Sequence, residues 1–141
     1  MPLPWPVPHE LEGRDCWCGR NGCLEGFLSL RGLENEYFNI TQTKLEIQEI
    51  ADSADSNDLV ASSVLQILDD RIGRATAAII NMFDPNMIIL GGRIAELNRL
   101  YLNVPRKWPG YLLIERNKAK LLPASNVPFA LAQGAAWLVA H

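Results

Sequence analysis

The longest unbroken pattern in the chain lies between Val60 and Met82. Val60, Val64, Ile67, Leu68, Ile72, Ala75, Ile79 and Met82 recur largely at spacings of three and four, which predicts an amphipathic helix of roughly 25 residues. Ser56 or Asn57 can cap its start, and Asp84-Pro85 stops it. Met87-Ile88-Ile89-Leu90 follows at once, a continuous apolar run between Pro85 and Gly91-Gly92. So short a run with such borders reads as a strand buried on both faces, the habit of parallel sheets. A long one-sided helix leading into a buried strand points to an α/β layer fold.

The flanking elements agree with that class. Phe27-Leu28 and Leu30 begin a short helix that Gly32 is expected to interrupt, and Thr43 with Glu46 forms a capping-box pattern for a helix to about Ala51. Arg93 to Leu102 resumes helical spacing, Pro105 and Pro109-Gly110 break the chain, Ala119 to Leu122 reads as a second strand, and a last helix is expected from about Phe129 to Val139. Met1 to Asp15 has many prolines and charges but no period, and is expected to be an extended surface segment. At 141 residues with 48% apolar and 21% charged, the chain is one domain long and able to bury a core. Its net charge of −3 and its scattered Lys and Arg give no footprint for nucleic acid. No apolar run nears the ~18 residues of a membrane span. Four prolines between Met1 and Pro8 replace the apolar stretch of a signal peptide, so a cytoplasmic protein is expected.

All three cysteines fall in Cys16-Trp17-Cys18-Gly19-Arg20-Asn21-Gly22-Cys23. An odd number cannot form a complete disulfide set, and C-x-C lacks the spacing of a C-x-x-C redox pair. Three soft thiolates on a turn with two permissive glycines suit zinc, although three unrelated buried cysteines would leave the same pattern. Tetrahedral zinc wants a fourth ligand, and His9, seven residues before Cys16, is one candidate. Glu25, two residues after the last cysteine, could accept hydrogen bonds from the vicinal hydroxyls of a sugar, or could simply favour a helix start. Gly91-Gly92, between strand and helix, could admit a nucleotide or could be an ordinary turn. Trp17 is expected to cover the cysteine loop and Trp137 to lie in the core.

Cys16 to Glu25 resembles the C-x-C-G-x-x-G-C-x-E signature of the ROK family (repressor, open reading frame, kinase). Asp84-Pro85-Asn86-Met87-Ile88-Ile89-Leu90-Gly91-Gly92 is similar to its D-P-x-x-I-x-L-G-G segment, and Gly134-Ala135-Ala136 to its closing G-A-A helix. The resemblance spans essentially the whole chain. It implies a single partial domain over residues 1–141: a zinc-binding loop over about 1–25, then the C-terminal portion of an actin-like ATPase (ribonuclease H-like) domain, helix-rich with few strands. It also implies zinc on Cys16, Cys18 and Cys23, sugar contact by Glu25, and an adenosine-side motif at Gly91 and Gly92, with ATP and Mg used by the complete enzyme. Pro2-Leu3-Pro4-Trp5 and Gly134-Ala135-Ala136-Trp137-Leu138 most resemble the fructokinase-like branch, whose substrate is a hexose. The sugar-sensing domain of a ROK repressor is the alternative, and a homodimer is possible for either. Three family features are not in this sequence: the upstream Gly-His pair whose histidine is the fourth zinc ligand, the D-x-G-x-T phosphate loop and the catalytic aspartate. No catalytic residue is therefore assigned to this chain. Arg31 replaces a small residue of the family's turn after Ser29 and has no role in the pattern.

Overall fold

The computed structural model describes residues 1–114, 117–125 and 130–139. In chain order it has α1 (Leu24–Leu28), α2 (Leu30–Thr41), α3 (Ile47–Asp55), α4 (Leu59–Phe83), β1 (Met87–Leu90), α5 (Arg99–Lys107), β2 (Lys120–Pro123) and α6 (Ala130–Val139), with 3-10 turns at Pro8–Glu10, Arg93–Glu96 and Trp108–Gly110. The expected long helix is α4, and everything else is arranged around it. Val64, Leu65, Leu68 and Ile80 are fully buried against α2, α3 and α5. Between Arg71 and Ala77 every residue of α4 is buried, so this stretch is covered on all sides. Neither Ser56 nor Asn57 caps it. Asp58 does, its Oδ1 accepting from Val60 N at 2.8 Å and Ala61 N at 3.1 Å, because its carboxylate can serve two orphan amides at once.

Gly32 does not interrupt a helix. The break falls at Ser29, whose extended backbone ends α1 and whose Oγ accepts from Gly32 N at 3.1 Å to open α2. Glycine is required at 32 for another reason: a Cβ there would stand 2.5 Å from the Gly26 carbonyl oxygen, so α1 and α2 meet backbone to backbone. The capping box of α3 is likewise not Thr43 with Glu46, but Glu46 with Glu49, whose Oε2 accepts from Glu46 N at 2.8 Å. The helix expected from Arg93 is a 3-10 turn followed by α5 from Arg99, which continues through Pro105.

β1 and β2 pair in parallel, with Met87 opposite Lys120 and Leu90 opposite Pro123. The expected burial on both faces is not observed. Ile88, Leu90 and Leu121 join the core, whereas Met87, Ile89 and Leu122 are exposed. Among the described residues one helical layer covers this sheet, and its other face is open. α6 lies where the last helix was expected, although Phe129 is outside the described residues. Its residues 132–138 are exposed, Trp137 at 71%, so Trp137 is not core.

Candidate metal centre and adjoining cavity

The segment before the cysteines is largely exposed, as its composition suggested, but it is tied to the core at Glu10. Glu10 is 4% exposed and sits on α4. Its Oε1 accepts from Arg71 Nε at 2.7 Å and its Oε2 from Arg74 Nη1 at 2.8 Å. Val7 N adds a bond to Oε2 at 3.0 Å. Burial opposes ionisation of this carboxyl, but the bonds from Arg74 and Arg71, then from Val7, prevail and lower its pKa from 4.5 to about 2. Arg71 also pairs with Glu36 of α2, which in turn pairs with Arg14 at 3.0 Å, and Arg74 pairs with Asp70 at 3.0 Å. Three guanidinium groups and three carboxylates thus form a balanced network under the N-terminal segment. Arg74 donates to the Trp5 carbonyl at 2.7 Å as well, and Trp5, in a left-handed conformation with φ of 44°, stacks on Tyr111.

On this base stands the cysteine loop. Asp15 and Asn21 form an antiparallel bridge, Cys16 N donates to the Arg20 carbonyl at 2.9 Å, and Gly19 and Gly22 take φ of 79° and 73°, the conformations for which glycine was expected. The Sγ atoms of Cys16, Cys18 and Cys23 lie within 4.8 Å of one another, with Cys18 and Cys23 at 3.7 Å. Tetrahedral zinc with bonds of about 2.3 Å needs sulfurs roughly 3.8 Å apart, a spacing that Cys18 and Cys23 already have, so the triad could hold a metal ion of that kind. A hydrogen bond from the Arg20 amide, then the neighbouring sulfurs, hold the Cys18 thiol below its ordinary range, while sharing with Cys18 holds Cys23 above it. His9 is not in this group. It sits on the Pro8–Glu10 turn, which Glu10 pins to α4. Beside Cys23 runs the chain's first strand-like stretch instead: Leu24 N donates to the Met1 carbonyl at 2.9 Å and Leu3 N to the Gly22 carbonyl at 3.1 Å.

Cys23 is the N-cap of α1, and Glu25 stands in the first turn of that helix. The loop that converges the thiols therefore also sets the direction of the carboxylate. Glu25 is exposed and lines a cavity of about 670 Å³, together with Cys16, Trp17, Arg31, Asn35 and Asn39. Trp17 is 87% exposed and edges this cavity; it does not cover the loop. The last pair of expected site residues follows β1. Gly92 takes φ of 77° and no atom lies within 4 Å of where a Cβ would sit at Gly91 or Gly92, so their surface is open. The 3-10 turn after them has four residues, too short to present the helix start that the sequence suggested.

Glu10, Arg14, Arg71 and Arg74 were missed as positioning residues. The signal existed, since Arg71 and Arg74 fall in the fully buried stretch of α4, but nothing local names their partner Glu10, 61 and 64 residues away.

The sequence model of the ROK family matches residues 6–141. The chain is 29% identical over 98 residues to an N-acetyl-D-glucosamine kinase of Yersinia enterocolitica, an alignment that takes in 70% of this chain and 32% of that protein. Its fold superposes on a ROK family glucokinase from Streptomyces griseus in complex with glucose and AMPPNP with a TM-score of 0.77 and 26% identity, over 91% of this chain and 47% of that one. A ROK family transcriptional regulator is also similar, with a TM-score of 0.69 and 26% identity, over 83% of this chain and 33% of the regulator. The chain thus spans about a third of the curated kinase and less than half of the glucokinase. Its two parallel strands and surrounding helices are the C-terminal portion of the actin-like ATPase fold, and with the family's sequence model matched from residue 6 to the last residue, this chain belongs to the ROK family.

Proposed function

We propose that this chain is the C-terminal portion of an ATP-dependent sugar kinase that phosphorylates a hexose hydroxyl in the cytoplasm, of the fructokinase-like branch. One observation carries the reading: the residue that caps α1 is a thiol of a zinc-shaped triad, and the first turn of the same helix aims a carboxylate at a cavity. Cys16, Cys18 and Cys23 hold zinc, which cross-links the loop. The fourth position falls to an upstream family histidine, next to the Met1 end of the chain, or to His9 if the Pro8–Glu10 turn opens. The Glu25 carboxylate accepts hydrogen bonds from sugar hydroxyls and orients the ring. The open surface at Gly91 and Gly92 admits the adenosine side of ATP, whose phosphates and Mg are handled by groups outside this sequence.

The test is to join residues 1–141 to the N-terminal domain of a ROK kinase and measure ATP-dependent phosphorylation of fructose and other hexoses. Turnover of a hexose supports the kinase. A folded, zinc-loaded protein that binds sugar but turns none over supports the second reading, the sugar-sensing domain of a repressor, which the likeness to a ROK family transcriptional regulator favours. Size-exclusion chromatography of the joined protein tests whether it is a homodimer.

A further inference from the structure

Along the sequence the cysteines lack the spacing of a redox pair, but the turn makes one across space. Cys18 and Cys23 are five residues apart, and their Sγ atoms lie 3.7 Å from each other. A disulfide has its sulfurs about 2.05 Å apart, so these two must approach by roughly 1.6 Å. The turn between them can supply that distance. Gly19 and Gly22 both have the left-handed φ that only glycine adopts without cost, and no atom stands within 4 Å of a Cβ position at Gly19. Cys23 caps α1 with its extended backbone and not with its thiol, so its sulfur is not tied into the helix.

Cys16 is the poorer partner. Its N–H donates to the Arg20 carbonyl and its own carbonyl accepts from Gly19 N, each at 2.9 Å, which pins it at the base of the turn. A bond from Cys16 to Cys18 would close a strained ring across one intervening residue. Access favours the same pair: Cys18 is exposed, whereas Cys16 and Cys23 are half-buried. A thiolate is both the metal ligand and the nucleophile, so zinc on the triad leaves the exposed sulfur open to an oxidant.

We propose that Cys18 and Cys23 are an oxidative modification site, at which a peroxide forms a disulfide that expels zinc from the triad and displaces the start of α1. This rests on the zinc reading of the triad. The Cys18 thiolate attacks one peroxide oxygen, the O–O bond breaks, and hydroxide leaves with its electron pair, giving a sulfenic acid on Cys18. The Cys23 thiolate then attacks the Cys18 sulfur and a second hydroxide leaves. The two thiolates are oxidised, the peroxide is reduced to two hydroxides that take up protons as water, and Cys16 alone does not hold the ion. Thiol exchange reverses the bond, as a reducing compartment requires of a regulatory disulfide. Cys23 opens α1 and Glu25 stands in its first turn, so the oxidised loop carries the carboxylate on a shifted helix start.

The test treats the zinc-loaded 141-residue chain with hydrogen peroxide beside a chromogenic zinc chelator. About one zinc per chain should be released that the chelator alone does not take. Two of the three free thiols should be lost, and dithiothreitol should restore both thiols and zinc uptake. Trypsin cuts after Arg20, so the disulfide should join two peptides, with fragmentation placing it between Cys18 and Cys23. Cys16→Ser should keep that crosslink, Cys18→Ser should lose it, and Cys23→Ser should stop at a sulfenic acid on Cys18 that dimedone captures. Amide NMR signals of residues 22–25 should move while those of α4 stay. Zinc retained with all three thiols free, a crosslink through Cys16, or a crosslink that survives Cys18→Ser overturns the inference and leaves the metal reading standing. A chain that holds no zinc before peroxide is added overturns the metal reading and the expulsion step with it.

Discussion

Glu10 shows how one residue can tie a segment without regular structure to a helix core. Its folded pKa of about 2 lies below the ordinary 4.5, so the unfolded chain takes up a proton first as pH falls. The stabilisation is complete above about pH 4.5 and is lost between there and pH 2, a total of about 3 kcal/mol for a shift of this size. Glu10→Gln should remove that acid-sensitive step and also leave two buried guanidinium groups short of charge, lowering stability by about 3–5 kcal/mol. Urea midpoints of both proteins across pH 2 to 6 measure this; parallel curves would show that Glu10 is not the titrating group. At the cysteines, about one zinc per chain is expected, and Cys18→Ser should release it. Metal analysis after zinc reconstitution and gel filtration checks the ion. At Glu25, substitution by Gln in the joined kinase should raise the KM for sugar about ten- to a hundredfold with the KM for ATP nearly unchanged, since a charged acceptor bond is worth roughly 1.5–3 kcal/mol. These residues differ in legibility: the cysteines and Glu25 lie within ten positions, whereas Glu10 and its partners are joined only by the fold.

Among the elements, α4 should outlast the metal loop. It is 25 residues long and packed by α2, α3 and α5, so Cys18→Ser should reduce order over residues 16–25 while helical circular dichroism is kept. The junction of α1 and α2 is more fragile. Alanine is the better helix former by about 1 kcal/mol, yet Gly32→Ala should destabilise by roughly 1–3 kcal/mol, because its Cβ would meet a backbone oxygen at 2.5 Å that cannot swing aside. Gly134→Ala on α6 meets open space and should gain up to about 1 kcal/mol by helix propensity, which makes it the opposite-sign control in thermal melts. The existence of these helices was readable from apolar spacing, but their ends were not. Thr43, Ser56 and Asn57 are all good caps by type, and the chain used Glu46 and Asp58, whose positions also let Asp58 Oδ2 accept from the buried Tyr37 hydroxyl at 2.9 Å. At α4 the cap used is the one that also makes a tertiary bond, to Tyr37.

For the whole molecule, the isolated chain is expected not to phosphorylate fructose or glucose with ATP. Phosphoryl transfer depends on positioned groups around the phosphates, and neither the D-x-G-x-T loop nor the catalytic aspartate is in this sequence. A coupled assay that found turnover abolished by Glu25→Ala would overturn this. Among the described residues no helix is long and apolar enough to cross a membrane. What the sequence alone determined was the material of local patterns: a helix of roughly 25 residues ending before Asp84-Pro85, the strand at Met87–Leu90, the thiol spacing with its two left-handed glycines, and the family signature at Cys16 to Glu25. Each depends on residues a few positions apart, so periodicity and spacing expose it. Only the tertiary structure decided that one face of the sheet is open, that Trp137 and Trp17 are exposed, that Glu10 is buried between Arg71 and Arg74, and that Arg31 shares a cavity with Glu25. Burial and charge pairing are properties of what lies across the core, and the same residue is exposed or buried according to whether a distant segment covers it.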